Sequence, residues 1–502
     1  MSAFVTDQFR ILNAGSFVES ISNNSYYAFL GLSNPTPGSV GFGRTDNWDT
    51  STTNNPVDNF QYLSHYRDTS LFGKKITSEN ARRVIRKVEW VANTPYDMYR
   101  HDYRQGNESP VSKTVRLYDA NYYVVTSEFK VYICIDNGSS GTDPTVTGST
   151  IEPTQTDVEP PVAGSDGYRW KYLFSISPSD VIKFDSTEYI TVPNDWLTTT
   201  DSDIQTIREG GNSDTNNNQV KAVYIEDGGT GYSNATASIV GDGSGGEVSI
   251  VVDSSGTITN VNVTSGGKDY TYGIIDLRTN SGSGSKLIPI IPPSKGHGYN
   301  IYEELGTDKV LMYARFDDSS KDFPIDTKFA QVGIIKNPET FSGAGVTFTE
   351  NSFSSLYAVG LTTSREVTIG EQITQNVTGA KGYVASFDKD TKVLKYYQDR
   401  SLCYGNKVDQ TDSDNTTNTI EFDSSNSITF STSGGSSSID TALTGSVVVV
   451  NDKQINLGVT FTNGLANPEI NKKTGTVIYI DNRPTVQRDS RQKEDIKIIL
   501  EF

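Results

Sequence analysis

At 502 residues, with 43 basic against 61 acidic side chains and a net charge of −18, the chain exceeds one ordinary domain and repels a phosphate backbone, so a nucleic-acid role is disfavoured. Hydrophobic residues make up 34%, and the 44 glycines, 27 tyrosines and 21 phenylalanines beside only three methionines favour packed sheet over a helical bundle. Cys134 and Cys403 are the only cysteines, too few for a disulfide framework or a four-cysteine zinc site, and they read as small buried residues of a reduced compartment. The sequence opens without a basic-then-apolar leader and has no run of about 18 apolar residues, so neither a signal peptide nor a membrane span is expected, and folding is expected in cytoplasm.

In chain order, residues 1–200 alternate short apolar runs with turn-forming clusters. Strands are expected over 26–32, 113–117, 122–134 and 169–176. A helix is expected over 78–86 with Thr77 or Ser78 as N-cap. Residues 138–164, rich in Ser, Thr, Pro and Gly, read as a long surface loop, and the polar run over 201–218 reads as a linker. An internal repeat follows: Val220, Val223, Ile225, Gly228, Gly229 and Tyr232 recur about 38 residues on as Ile258, Val261, Val263, Gly266, Gly267 and Tyr270. Two copies of one β-unit that bury their apolar faces on each other are implied, so 219–285 reads as an inserted β-module. A second insertion is expected over 342–465, with a turn over 387–391 and a return strand over 393–397. Within it, 409–438 reads as too polar to bury. The last residues alternate Ile496, Ile498, Leu500 and Phe502 with Lys497, Ile499 and Glu501, the period of a strand tied into a core.

Candidate chemistry is sparse. The GDGSGG run at 241–246 has the letters of a dinucleotide fingerprint, but a β-type segment follows where a helix N-terminus is needed, so it reads as a turn. His65, His101 and His297 form no helical ligand pair, and His297 between Gly296 and Gly298 is either a general base on a loop or a histidine packing a turn. Asp409, Asp412 and Asp414 lack the glycine and closing glutamate of a helical calcium loop. No catalytic, cofactor or metal residue is therefore assigned, and no cofactor is expected. Tyr96, Tyr99 and Tyr103 lie among Arg100, His101 and Arg104, and Tyr and Arg are favoured interface anchors, so Tyr96, Tyr99, Arg100, Tyr103 and Arg104 form the candidate interface. Trp170, in RWKYLF, reads as core.

Four blocks then carry a resemblance: TDQFR at 6–10 with FGRTDNW at 42–48, DGYRWKYLF at 166–174 with TEYITVP at 187–193, FAQVGIIKNP at 329–338, and DNRP at 481–484 before the closing IKIILEF strand. In this order they resemble the baseplate wedge subunits of contractile-tailed, T-even-like bacteriophages, the first block being similar to that family's N-terminal strand. The resemblance implies a mainly β fold: a discontinuous sandwich from 1–200, 286–341 and 466–502, with 219–285 and 342–465 inserted and few short helices. It implies a structural, non-enzymatic role in the virion's tail baseplate, assembly in host cytoplasm, a homodimer, and contacts with other wedge proteins but not with nucleic acid or membrane. The rival reading is a host-surface, glycan-directed tail protein, which requires an aromatic-lined groove in one of the insertions. A polysaccharide-cleaving enzyme would need two carboxylates facing each other about 5–10 Å apart, and the sequence constrains no such pair.

Overall fold

The computed structural model describes residues 5–32, 66–67, 69–141, 145–157, 161–209, 218–233, 236–278, 281–317, 328–398, 420–487 and 492–502. The chain is mainly β, built of several antiparallel sheets with a few short helices. It divides into two compact units, one made of 1–18, 82–311 and 499–502, the other of 19–81 and 312–498.

In the first unit, one sheet runs in the order Tyr123–Val125, Lys130–Asp136, Arg169–Ser175, Val162–Ala163. Its second strand is buried at every position from Val131 to Ile135, the pattern of a strand covered on both faces. The covering comes in part from the antiparallel pair Ala81–Arg86 and Tyr189–Val192, in register Ile85↔Ile190. Ile85, Ile190 and Val192 share one core with Val124, Ile133, Trp170, Phe174 and Trp196. Two layers closing over one apolar interior make a sandwich.

The repeat of the same unit folds into six strands with reciprocal pairing. Ser244–Val252, third of the first half, pairs with Ile258–Lys268, first of the second half. Ser283–Pro289, third of the second half, returns to pair with Val223–Thr230, first of the first half. The middle strands, Thr236–Gly241 and Gly273–Arg278, pair with each other. Even the irregularities correspond: Gly246↔Gly266 matches Ser285↔Gly228, and a register shift follows in both ladders. Gly229 and Gly267 have φ of 59° and 62°. A Cβ on Gly229 would lie 2.5 Å from the Ser283 carbonyl and 2.6 Å from the Ser285 nitrogen, and one on Gly267 would lie 2.5 Å from the Ser244 carbonyl and 2.6 Å from the Gly246 nitrogen. Both glycines are therefore required twice over, by conformation and by space. The tyrosines then close each half: Tyr232 OH accepts from the Ser285 N–H at 3.2 Å, and Tyr270 OH accepts from the Gly246 N–H at 3.1 Å while donating to the Ile239 carbonyl at 2.9 Å.

In the second unit, a five-stranded sheet has the order Ser352–Ser354, Ser70–Ile76, Tyr26–Gly31, Lys328–Lys336, Thr476–Gln487. Tyr26–Gly31 is buried throughout, and Tyr27 and Phe29 pack with Ile335, Phe348, Phe353 and Ile470. A seven-stranded sheet has the order Ser436–Ser437, Ile428–Phe430, Gln372–Gln375, Ala380–Asp388, Val393–Tyr397, Tyr357–Gly360, Leu465–Ala466. The hairpin Gly445–Val450/Lys453–Phe461 stands apart as a two-stranded sheet. The closing strand, Glu494–Glu501, has Ile498 buried and Ile496 and Leu500 half-buried. Its last residues belong to the first unit, where Phe502 donates its N–H to the Asp308 carbonyl at 3.1 Å and packs its ring 5.3 Å from Phe17.

Several expectations are corrected. Residues 6–10 do not form a strand: Asp7–Asn23 is a helix, with Thr6 Oγ1 accepting from the Phe9 N–H and Ile11, Ala14 and Ile21 buried along one side. The helix expected over 78–86 is a single 3-10 turn, Ser78–Asn80, followed by the strand Ala81–Arg86; Thr77 makes no side-chain cap, and the β-branched Val84 and Ile85 go to the core. No strand forms over 113–117, where the backbone turns into the 3-10 turn Leu117–Asp119. The expected strand over 122–134 is two strands, separated by a turn in which Phe129 adopts φ 57°. The expected linker contains the helix Ser202–Glu209, with Asp201 Oδ1 accepting from the Asp203 and Ile204 N–H groups. Part of the polar 409–438 segment is core, since Phe422, Ile428 and Phe430 are buried. Residues 409–419, with Asp409, Asp412 and Asp414, lie outside the described residues, as do His65, Cys403 and the 42–48 block.

Candidate interaction site

Residues 94–104 form an extended, irregular segment of the first unit, laid across the sandwich core. Its tyrosine side chains point inward, and the phenols of Tyr96 and Tyr103 find backbone partners there. Tyr96 OH takes the Val91 N–H at 2.6 Å and gives its proton to the Glu89 carbonyl at 3.0 Å. Tyr103 OH donates to the Met98 carbonyl at 2.9 Å. The Tyr99 ring meets Tyr122 and His297 edge-on, at 6.0 and 4.8 Å. Burial pushes the Tyr99 and Tyr103 phenols far above their ordinary range.

Arg100 is 2% exposed. Its guanidinium forks onto Asp102, Nε to Oδ1 at 2.9 Å and Nη2 to Oδ2 at 2.7 Å, and lies 3.8 Å over the Tyr224 ring. Burial alone would raise the Asp102 carboxyl, but the bonds and charge of Arg100 outweigh it and hold that carboxyl below its usual range. Four members of the candidate interface, Tyr96, Tyr99, Arg100 and Tyr103, are thus core; only Arg104 is exposed. The stretch does anchor an interface, but one inside the chain. Arg100 stacks on Tyr224 in the first strand of the repeat module, His101 Nδ1 accepts from the Ile291 N–H at 3.2 Å, and Arg169 donates to the Lys221 carbonyl at 2.9 Å. Ala222, Tyr224 and Ile290 belong to the same core as the sandwich strands.

His297 is 2% exposed and Glu304 1%. Nδ1 of His297 lies 2.6 Å from Glu304 Oε1, and the other carboxylate oxygen accepts from the Gly298 N–H at 2.7 Å. Trp196 Nε1 donates to the Gly298 carbonyl at 2.9 Å. The histidine therefore fixes a loop against the core, as a turn-packing residue does. A cleft of about 120 Å³ opens elsewhere in the unit, lined by Arg10, Arg86, Arg116, Asp308, Lys309 and Glu501 among others. Its charges are answered locally: Arg116 pairs with Asp7, Lys309 with Asp308 at 2.8 Å, and Arg86 donates to the Ala120 carbonyl at 3.0 Å.

Among the described residues no group of His, Cys, Asp and Glu side chains could hold a metal ion, and no helix is long and apolar enough to cross a membrane. In the described parts of 219–285 and 342–465, Tyr272 is the one exposed aromatic side chain, at 62%. The glycan reading requires several aromatic side chains lining one groove.

The sequence reading passed over the buried carboxylates and amides that hold the long loops. Asp97, fully buried, accepts from the Val111 N–H at 2.9 Å and from Ser112 and Asn121. Glu371 does the same for 368 and 432–433. No local pattern marks such residues. It also passed over the hairpin at 445–461, which had a signal: four valines followed by Asn451-Asp452, a pair suited to a two-residue turn. No protein-family model matches the chain, and no curated protein matches it.

Proposed function

We propose that the chain is a structural subunit of a contractile-tail baseplate wedge. In this reading it carries no catalysis, assembles in the host cytoplasm, forms a homodimer, and offers its remaining surface to neighbouring wedge proteins. The observation that supports it best is the placement of two of the resembling blocks. FAQVGIIKNP and DNRP are about 150 residues apart in sequence, yet they lie on adjacent strands in the register Gln331↔Asn482 and Val332↔Asp481. Gln331 Nε2 also donates to Asn482 Oδ1 at 3.0 Å in the buried interior. A similarity spread over distant segments carries more weight when those segments meet, because one packing environment then constrains both. The mechanical demand fits as well: a part that keeps its geometry while its surroundings move needs strands whose neighbours come from far along the chain, since such a sheet does not open locally.

Gold-labelled antibody raised against the purified chain tests this on intact phage tails. Label confined to the distal plate of the tail is the expected result. Label on the fibres would favour host-surface recognition, and purified virions that lack the chain in mass spectrometry would overturn the reading.

A further inference from the structure

The hairpin Gly445–Val450/Lys453–Phe461 turns through Asn451 and Asp452 at φ 50° and 61°, the mirror-image two-residue turn that suits twisted strands. Its inner face is anchored, since Val448 packs against a core of Leu457, Val459 and Phe461. Its outer face is not, for Val447 is 47% and Val449 66% exposed. Among the described residues, Gly445–Val450 has one strand neighbour, so its other edge is free.

The ladder fixes which backbone groups that edge presents. Val450↔Lys453 closes the turn and Val448↔Ile455 is the next pair but one, so these exchange bonds within the hairpin. The N–H and C=O of Val447 and Val449 then face outward. The pattern is self-complementary. If a second copy is laid antiparallel about Val448, Val447 falls opposite the partner's Val449 and Val449 opposite the partner's Val447. Both are outward-facing pairs, so roughly four N–H···O bonds form at once, and the exposed valines meet across the seam. Charge selects the same place. Copies of a chain with a net charge of −18 repel one another, and 445–450 carries no ionisable side chain. Such an edge is the kind that proteins otherwise guard with lysine or proline.

We propose that the strand Gly445–Val450 is the seam between two copies of this chain, joining their hairpins into one four-stranded sheet across a two-fold axis. The proposal deepens, and rests on, the dimer included in the reading above.

Sedimentation of the full-length chain tests it. Val449→Pro removes only an outward N–H and leaves the hairpin's own ladder whole, and Val449→Lys places a charge in the seam. Each is expected to weaken dimerisation by at least about tenfold, the loss of one or two good hydrogen bonds, with the circular dichroism spectrum unchanged. In a Cys403→Ser background, Val448→Cys sets two thiols across the axis within disulfide reach and should give a covalent dimer on mild oxidation, whereas Val447→Cys, offset from its own copy, should not. Val449→Pro and Val449→Lys variants that dimerise like the unsubstituted chain would overturn the seam while leaving a dimer to be placed elsewhere. A monomeric unsubstituted chain would overturn both seam and dimer, and the gold labelling would still decide the baseplate assignment separately.

Discussion

The repeat module, whose strands run from Val223 to Pro289, and the seven-stranded region at 357–466 hold themselves together in opposite ways. In the module every device occurs twice: a positive-φ glycine, a tyrosine hydroxyl on a bulged ladder, and strands exchanged between halves. In the seven-stranded region each device occurs once and reaches far. Glu371 accepts from the Thr368 N–H at 2.7 Å, the Thr432 N–H at 2.8 Å and the Ser433 N–H at 2.9 Å. Gln375, fully buried, donates to the Asp423 and Asn426 carbonyls at 2.6 and 2.9 Å, and Gln398 donates to the Lys381 and Ile420 carbonyls at 2.7 and 2.8 Å. Duplication makes an arrangement redundant and visible; a solitary buried polar group makes it dependent and hidden.

The hardest blow to this contrast would come from the glycines. Gly267→Ala should destabilise by about 2–4 kcal/mol, the sum of a left-handed backbone penalty and a clash with atoms that cannot move aside. Gly229→Ala should cost the same within error, read as matched falls in thermal midpoint. A tolerated alanine at either site would mean that the two halves are alike only in outline.

Glu371→Gln should cost less, about 1–3 kcal/mol, because the amide keeps the size but answers only part of the donor set. Its dependence on pH sharpens the point. Burial would raise the Glu371 carboxyl, but the bonds from Thr368, Ser433 and Thr432 outweigh burial and hold it below its ordinary value. Its folded form therefore binds a proton more weakly than the unfolded chain does. The advantage is complete above the unfolded value of about 4.3 and drains away as pH falls through the lower folded value. Denaturation of parent and variant from pH 7 downward should converge at the acid end; a gap that stays constant would remove the carboxylate from the account. Smallest of all, Tyr270→Phe should cost about 1 kcal/mol and Tyr232→Phe somewhat less. Both phenols accept an N–H and donate one bond, but Tyr270 is fully buried and holds the Ile239 carbonyl, whereas Tyr232 is slightly exposed and donates to the Ser285 hydroxyl at 2.7 Å. Equal melting shifts for the two would deny that difference.

The legible features were those written as local pattern. The repeat, the 169–175 strand, the turn before Val393 and the closing alternation follow from periodicity and turn chemistry. What tertiary context decides was not legible. Residues 78–86 have a helical opening, yet Val84 and Ile85 go to a sheet because a partner strand more than 100 residues away offers them a core. Tyr96, Tyr99 and Tyr103 carry the composition of an outer surface, and only the positions of Glu89, Val91 and Met98 show that the Tyr96 and Tyr103 hydroxyls are satisfied inside, while the Tyr99 ring packs on Tyr122 and His297. Tyr96, Tyr99, Arg100 and Tyr103 are buried, and Arg100 stacks on Tyr224 of the same chain, a placement that local composition does not foretell.

The exchange of strands in the module has an evolutionary corollary. Neither half can saturate its own edges; each supplies the rung the other lacks. A gene encoding one half alone would have yielded a product that matures only by finding its twin, and fusing two such genes end to end would turn an encounter between molecules into a fold that no dilution can undo.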